Sequence, residues 1–184
     1  LPVKNTEHIL RVFPNPGPEP GGLVQFRGKS YPCALGKAGI RPGSLKSEGD
    51  HSTPSGLFFP KRLLFRSDRI TNIDCPLCQA PLTPKSGWCD DPASPDYNRL
   101  VALPHAARCE TLWHDDHVYD LILTISHNDR PAVPGKGSAI FFHIAKENFS
   151  PTEGCVALEE KDFLEILKAL SQETLIRIHH NHRP

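Results

Sequence analysis

Residues 138–155 read SAIFFHIAKENFSPTEGC, an alternating apolar run carrying a histidine, a proline-bearing loop, and a cysteine preceded by glycine. The alternation sets Ala139, Phe141, His143 and Ala145 on one face and Ile140, Phe142 and Ile144 on the other, which is the period of a strand. His143 is thereby held on a rigid element. Cys155 follows Thr152, Glu153 and Gly154. Glycine lets the backbone turn tightly, so the Gly154 and Cys155 amides can converge beside the sulfur, as in an oxyanion hole. An imidazole within reach would take the thiol proton, and a helix start a few residues on would add positive potential. Together they would depress a thiol pKa of about 8.5 and leave a thiolate–imidazolium pair. The plain alternatives are a buried histidine bonded to a backbone carbonyl and a cysteine acting as a small buried hydrophobe. Spacing alone leaves the two readings level.

The same alternation recurs outward from this segment. The 19 prolines and 13 glycines cut the chain into short pieces, with strands expected at 9–13, 23–27, 31–35, 62–65, 119–125, 139–144 and 175–178. The expected class is mainly β with one clear C-terminal helix at 159–171. There Phe163, Ile166, Leu167 and Leu170 share a face, acids open the segment and Lys168 lies near its end. Residues 14–22 and 131–137 read as turns, 71–96 as long surface loops, Thr53 to Gly56 as a structural turn, and the HHNHR segment at 179–183 as a frayed tail.

At 184 residues, with 38% hydrophobic and 23% charged content, the chain suits one globular domain over 1–184. Basic and acidic residues number 21 each, so no summed positive field draws nucleic acid or an anionic membrane surface. No run approaches the ~20 apolar residues of a membrane span. Six cysteines favour an oxidising envelope compartment. The lack of any methionine fits removal of a secretory leader and fits trimming equally.

Taken together, the run from Gly137 to His143 and the Thr-x-Gly-Cys at Thr152 to Cys155 resemble the signature of the YkuD-like L,D-transpeptidase catalytic domain. The segment GDHSTPSG at 49–56 looks like the family's glycine–aspartate and threonine–proline–x–glycine elements. GWCDDP at 87–92, Tyr97, Asn98, LWHDD at 112–116, Tyr119, Asp120 and Asn128 resemble a bacterial subgroup. The resemblance implies an L,D-transpeptidase-like β-sandwich or barrel acting on peptidoglycan stem peptides in the bacterial cell envelope, periplasmic or secreted, without metal or organic cofactor. Cys155 would attack the carbonyl of an L-centre beside a D-residue. His143 would serve as base and acid, the Gly154 and Cys155 amides would hold the oxyanion, and Thr152 would shape the loop. An amine acceptor gives a cross-link, whereas water gives an L,D-carboxypeptidase or wall-peptide hydrolase. Two departures stand out: Glu153 where many relatives carry histidine, and Ala157 where they carry arginine, which removes a bidentate partner for a substrate carboxylate. Arg66, Arg69 and Arg99 are candidates to replace it.

The remaining chemistry-bearing residues give weaker signals. Trp88, Asp91, Tyr97 and Asn98 combine aromatic surface with polar groups, a composition suited to a substrate wall, although Asp and Asn also fix turns. Cys75 and Cys78 have the spacing of half a zinc site, with Cys89, His105 and Cys109 downstream, but no second Cys-x-x-Cys follows. A structural disulfide is the preferred reading there. A non-catalytic binding module built on such a zinc, with Cys155 merely buried, is the rival from another class. His114, Asp116 and His117 lack the His-Glu-x-x-His pattern and read as a polar turn.

Overall fold

A computed structural model describes residues 8–17 and 21–181. The strands are β1 (Ile9–Pro14), β2 (Gly22–Phe26), β3 (Lys29–Ala34), β4 (Ile40–Pro42), β5 (Thr53–Phe58), β6 (Pro60–Phe65) and β7 (Cys78–Pro81). They continue with β8 (Ser86–Cys89), β9 (Leu100–Ala102), β10 (Cys109–Thr111), β11 (Leu121–Ile125), β12 (Phe141–Ile144), β13 (Val156–Leu158) and β14 (Leu175–Ile178). The one α-helix among the described residues is α1 (Glu160–Ala169). The class is mainly β, as the alternation predicts. Eleven strands form a mixed sheet in the order β4-β5-β14-β1-β2-β3-β13-β12-β11-β6-β7, and β10-β8-β9 form a second, antiparallel sheet.

The two faces of the large sheet have different duties. Phe142, Val156, Leu158, Leu63 and Leu123 bury one face in the main core, where Phe163, Ile166 and Leu167 of α1 pack. The other face carries Leu64, Ile122, Phe141 and Cys155 in a smaller cluster. Trp88 of β8 meets Phe141 there edge to face at 4.9 Å, so the three-stranded sheet covers this side.

All seven expected strands are present with ends shifted by at most two residues, and the helix is shorter at both ends. Four expectations are corrected. Residues 71–96 include β7 and β8, and the segment from Thr53 is strand β5, paired with both β14 and β4 despite Pro54 and Gly56. The C-terminal histidines are partly docked. His179 stacks on Phe13 at 4.3 Å and His180 Nδ1 meets the Ile40 carbonyl at 2.9 Å, while residues 182–184 and 18–20 lie outside the described residues. All six cysteines are free, Cys75 buried and Cys78 exposed, so the expected structural disulfide, whose pairing the sequence leaves open, is not formed.

Candidate active site

Neighbouring parallel strands place the histidine and the cysteine. β12 pairs with β13 in the register Phe142 to Val156 and His143 to Ala157. Cys155, two residues before Ala157, therefore stands diagonally from His143 on the same face. Both side chains are buried, and both line one cleft of about 670 Å³, a size ordinary for a ligand site.

Polar contacts fix each group. His143 Nδ1 lies 2.8 Å from the Ile144 carbonyl. A carbonyl only accepts, so Nδ1 carries the proton in the neutral ring and the Nε2 lone pair is left available. Tyr119 packs edge to face on the imidazole at 5.3 Å, and its hydroxyl donates to Glu110 Oε1 at 2.7 Å. The Cys155 thiol donates to the Ala139 carbonyl at 3.2 Å and accepts from the Phe141 amide at 3.3 Å.

The loop before the cysteine is anchored from below. Thr152 donates from its hydroxyl to the Cys155 carbonyl at 2.7 Å, and its own amide meets the Leu35 carbonyl at 2.9 Å. Gly154 has φ of 140°, and a Cβ there would lie 2.8 Å from the Ser52 carbonyl oxygen, so glycine is required by space as well as by conformation. Ser52 is held in turn by Asp50, which accepts from its amide at 2.9 Å and its hydroxyl at 2.8 Å. The 49–56 segment is thus the floor beneath the cysteine loop.

The Gly154 amide donates to Thr152 Oγ1 at 3.1 Å and is already engaged. Among the described residues no acceptor takes the Cys155 amide. Of the two amides expected to converge beside the sulfur, that of Gly154 is thus engaged by Thr152 in this conformation.

Electrostatics also depart from expectation. Burial pushes the Cys155 thiol up to about 12, opposed by the Phe141 amide, and burial pushes His143 down to about 4, opposed by its bond to Ile144. Resting Cys155 and His143 are neutral, not a thiolate and an imidazolium. The helix does not reverse this, because α1 packs on the opposite face of the sheet.

A family model of the L,D-transpeptidase catalytic domain, YkuD, matches residues 6–178, nearly the whole chain. The chain belongs to the YkuD family. Among solved structures it is similar to the one described as Bdellovibrio bacteriovorus Bd1075, with 16% identity and a TM-score of 0.48, over 96% of this chain and 49% of that one. The chain thus spans about half the length of that protein. No curated protein matches it.

In this YkuD domain Glu153 is clamped by Lys37 at 2.9 Å and by His51. Ala157 lines the cleft without a charge of its own. Two of the candidate arginines are committed elsewhere: Arg66 pairs with Asp68 at 2.7 Å and lies 3.4 Å over the Trp113 ring, and Arg69 pairs with Asp120 at 2.8 Å. Arg99 is exposed and does not line the cleft. The cations that do line it are Lys46, Arg108 and Lys146. Lys46 is buried against Asp50 and Arg108 meets Asp90 at 3.0 Å, whereas Lys146 has no ion pair among the described residues.

Thr152 lines the cleft, but Trp88, Asp91, Tyr97 and Asn98 do not. Tyr97 is buried with its hydroxyl on Glu48, and Asp91 caps a turn at the Ala93 amide at 3.0 Å. Asn98, at φ of 58°, accepts from Trp88 Nε1 at 2.9 Å and from the Ala139 amide at 3.1 Å, while its Nδ2 donates to the His127 and Asn128 carbonyls. It fixes Ala139, whose carbonyl takes the Cys155 thiol. These residues support the site from behind. Sequence reasoning missed Glu110, Lys46 and Lys146 as lining groups: Glu110 and Lys46 lie outside the quoted motifs, and Lys146 stands in the loop between His143 and Thr152, where spacing marks no role for it.

Proposed function

We propose that residues 1–184 act as one catalytic unit, a cysteine-dependent L,D-transpeptidase working on peptidoglycan stem peptides in the cell envelope, periplasmic or secreted. The observation that carries the reading is the placement of Cys155 Sγ and an imidazole with an available Nε2 on one face of adjacent strands, both lining one cleft. The neutral resting pair dictates the order of events. Cys155 Sγ bonds to the carbonyl carbon of the L-centre as its proton passes to His143 Nε2, and the Cys155 amide meets the oxyanion. Collapse breaks the bond to the D-residue, whose amine leaves with the proton from His143. An acceptor amine then gives its proton to His143, attacks the thioester, and releases the thiol. If water replaces the amine, the product is a shortened peptide. With Ala157 in place of arginine, Lys146 is the cation left to meet a substrate carboxylate.

The test is mass spectrometry of a purified disaccharide-tetrapeptide after incubation with the wild type, Cys155→Ala and His143→Ala. Cross-linked dimers that require Cys155 establish the transpeptidase, with His143→Ala slower by ~10²-fold or more. Tripeptide and free D-residue that require Cys155 establish the carboxypeptidase instead. Full activity in either variant overturns the assignment, and an inert wild type removes this substrate class.

A further inference from the structure

A second cluster of reactive groups lies in the three-stranded sheet, outside the acyl-transfer chemistry. Cys89 ends β8, Cys109 begins β10, and the antiparallel register sets them directly opposite one another, so their side chains leave the same face. The intervening chain brings back His105, and one ligand atom from each of Cys89, His105 and Cys109 lies within 4.8 Å of the other two. Around one tetrahedral zinc ion such atoms stand roughly 3.5–3.8 Å apart, given bonds of about 2.0–2.3 Å. The cluster therefore needs to contract by only about 1 Å.

The surroundings of His105 suit a ligand. The Ala107 amide donates to its Nδ1 at 3.1 Å, so that nitrogen carries the lone pair, and Nε2 faces Asp96 Oδ2 at 3.3 Å. The Ala107 carbonyl accepts from the Cys109 thiol at 3.4 Å, which puts Nδ1 and Cys109 Sγ beside the same residue's backbone. Zinc at Nδ1 would displace the Ala107 amide from that lone pair and keep the Asp96 carboxylate behind Nε2, the usual backing of a metal-bound histidine. Cys89 is fully buried, while Cys109 and His105 are half-buried, so the group is shielded on one side and reachable on the other. Cys75 and Cys78, the pair with zinc-like spacing, take no part.

We propose that Cys89, His105 and Cys109 bind one zinc ion, with water in the fourth position. Binding forms two zinc–sulfur bonds and one zinc–nitrogen bond and releases the two thiol protons to solvent. The ion joins the two ends of the 90–108 segment and stiffens the cleft wall that Asp90, Arg108 and Glu110 form. Its role is to hold that wall, and it takes no step in the acyl transfer.

The test uses the full chain, purified under reducing conditions, incubated with zinc chloride, desalted and measured by mass spectrometry for metal content. One zinc per chain is expected in the wild type and in Cys78→Ser. Less than a tenth of that is expected in Cys109→Ser and His105→Ala with circular dichroism unchanged. Asp96→Asn should weaken zinc binding about 10-fold or more. Cobalt(II) should give a thiolate charge-transfer band and intense tetrahedral visible bands in the wild type. If Cys109→Ser does not fold, loss of those bands in His105→Ala decides the matter. Zinc well below one per chain in the wild type, full zinc in a folded Cys109→Ser or His105→Ala, or a Cys89–Cys109 disulfide in unreduced protein overturns the proposal.

Discussion

Mild acid should unfold this protein through two buried histidines. His127 and His143 are each pushed from 6.5 down to about 4, chiefly by burial. The folded state holds them neutral, so between pH 6.5 and 4 the unfolded chain binds more protons and stability falls as pH falls. At 1.36 kcal/mol per unit the full shift is about 3 kcal/mol for each group. By pH 4.5 most of it is expressed, a combined loss of about 5 kcal/mol from pH 7, against total stabilities of about 5–15 kcal/mol. Neighbouring charges modify but do not cancel this. Lys46 adds to the penalty at His127 while Asp129 and Asp50 relieve it, and Asp116 relieves it at His143 where His114 and Lys146 add to it. Glu110, raised by burial, works in the opposite direction because its folded form takes up a proton first. The depressed carboxylates Asp50, Asp68 and Glu153 lose their contributions only at lower pH, as they protonate. Urea unfolding followed by tryptophan fluorescence at pH 7, 6, 5 and 4.5 gives the slope, which should approach about 2.7 kcal/mol per pH unit. His127→Leu should halve that slope whatever it does to absolute stability. A flat profile from pH 7 to 5, or equal slopes in the two proteins, would refute the reasoning.

Other consequences can be checked separately. Because burial holds the Cys155 thiol at about 12, its alkylation by iodoacetamide should rise with pH well above neutrality and show no inflection below pH 7; an acidic inflection lost in Cys155→Ala would contradict the neutral pair. Thr152→Val removes the hydroxyl that bonds the Cys155 carbonyl and the Gly154 amide, and should cost about 1–3 kcal/mol in urea unfolding, with Thr152→Ser recovering most of it. Lys146→Ala should raise KM for a stem peptide with a free terminal carboxylate by about 10-fold and leave kcat nearly unchanged, whereas an unchanged KM removes Lys146 from carboxylate recognition.

What the sequence shows of this fold is what local pattern can encode. Alternation in 139–145 assigns the faces around His143 as the structure has them, with Phe141 and Phe142 in different clusters. The apolar spacing of 159–171 likewise finds α1. By contrast β4, β7 to β10 and β13 are only three or four residues long, too short to show an alternation, and β5 is interrupted by Pro54, Ser55 and Gly56. They exist because distant partners complete their ladders, as Gly56 to Phe58 do against Ile178 to Ile176. The same distance explains the site. Asn98 reads as a wall residue, yet its partners at His127, Asn128 and Ala139 lie 29 to 41 positions away, and only folding reveals that it braces the cysteine instead. The neutral state of Cys155 and His143 was equally hidden, since it depends on how completely both are enclosed.

The pairing of β12 with β13 bears on how such a protein can diversify. The separation of His143 from Cys155 is gauged by ladder register, and a slip of one residue would turn the sulfur toward α1. Residues 146–151, within the 145–155 connection between the two strands, set no part of that gauge, and the entropy of closing a longer connection grows only slowly with its length. Under the proposed function, reactivity and selectivity are therefore mechanically separable in this architecture. The connection can lengthen or change composition while the spacing of His143 and Cys155 passes unaltered from one variant to the next.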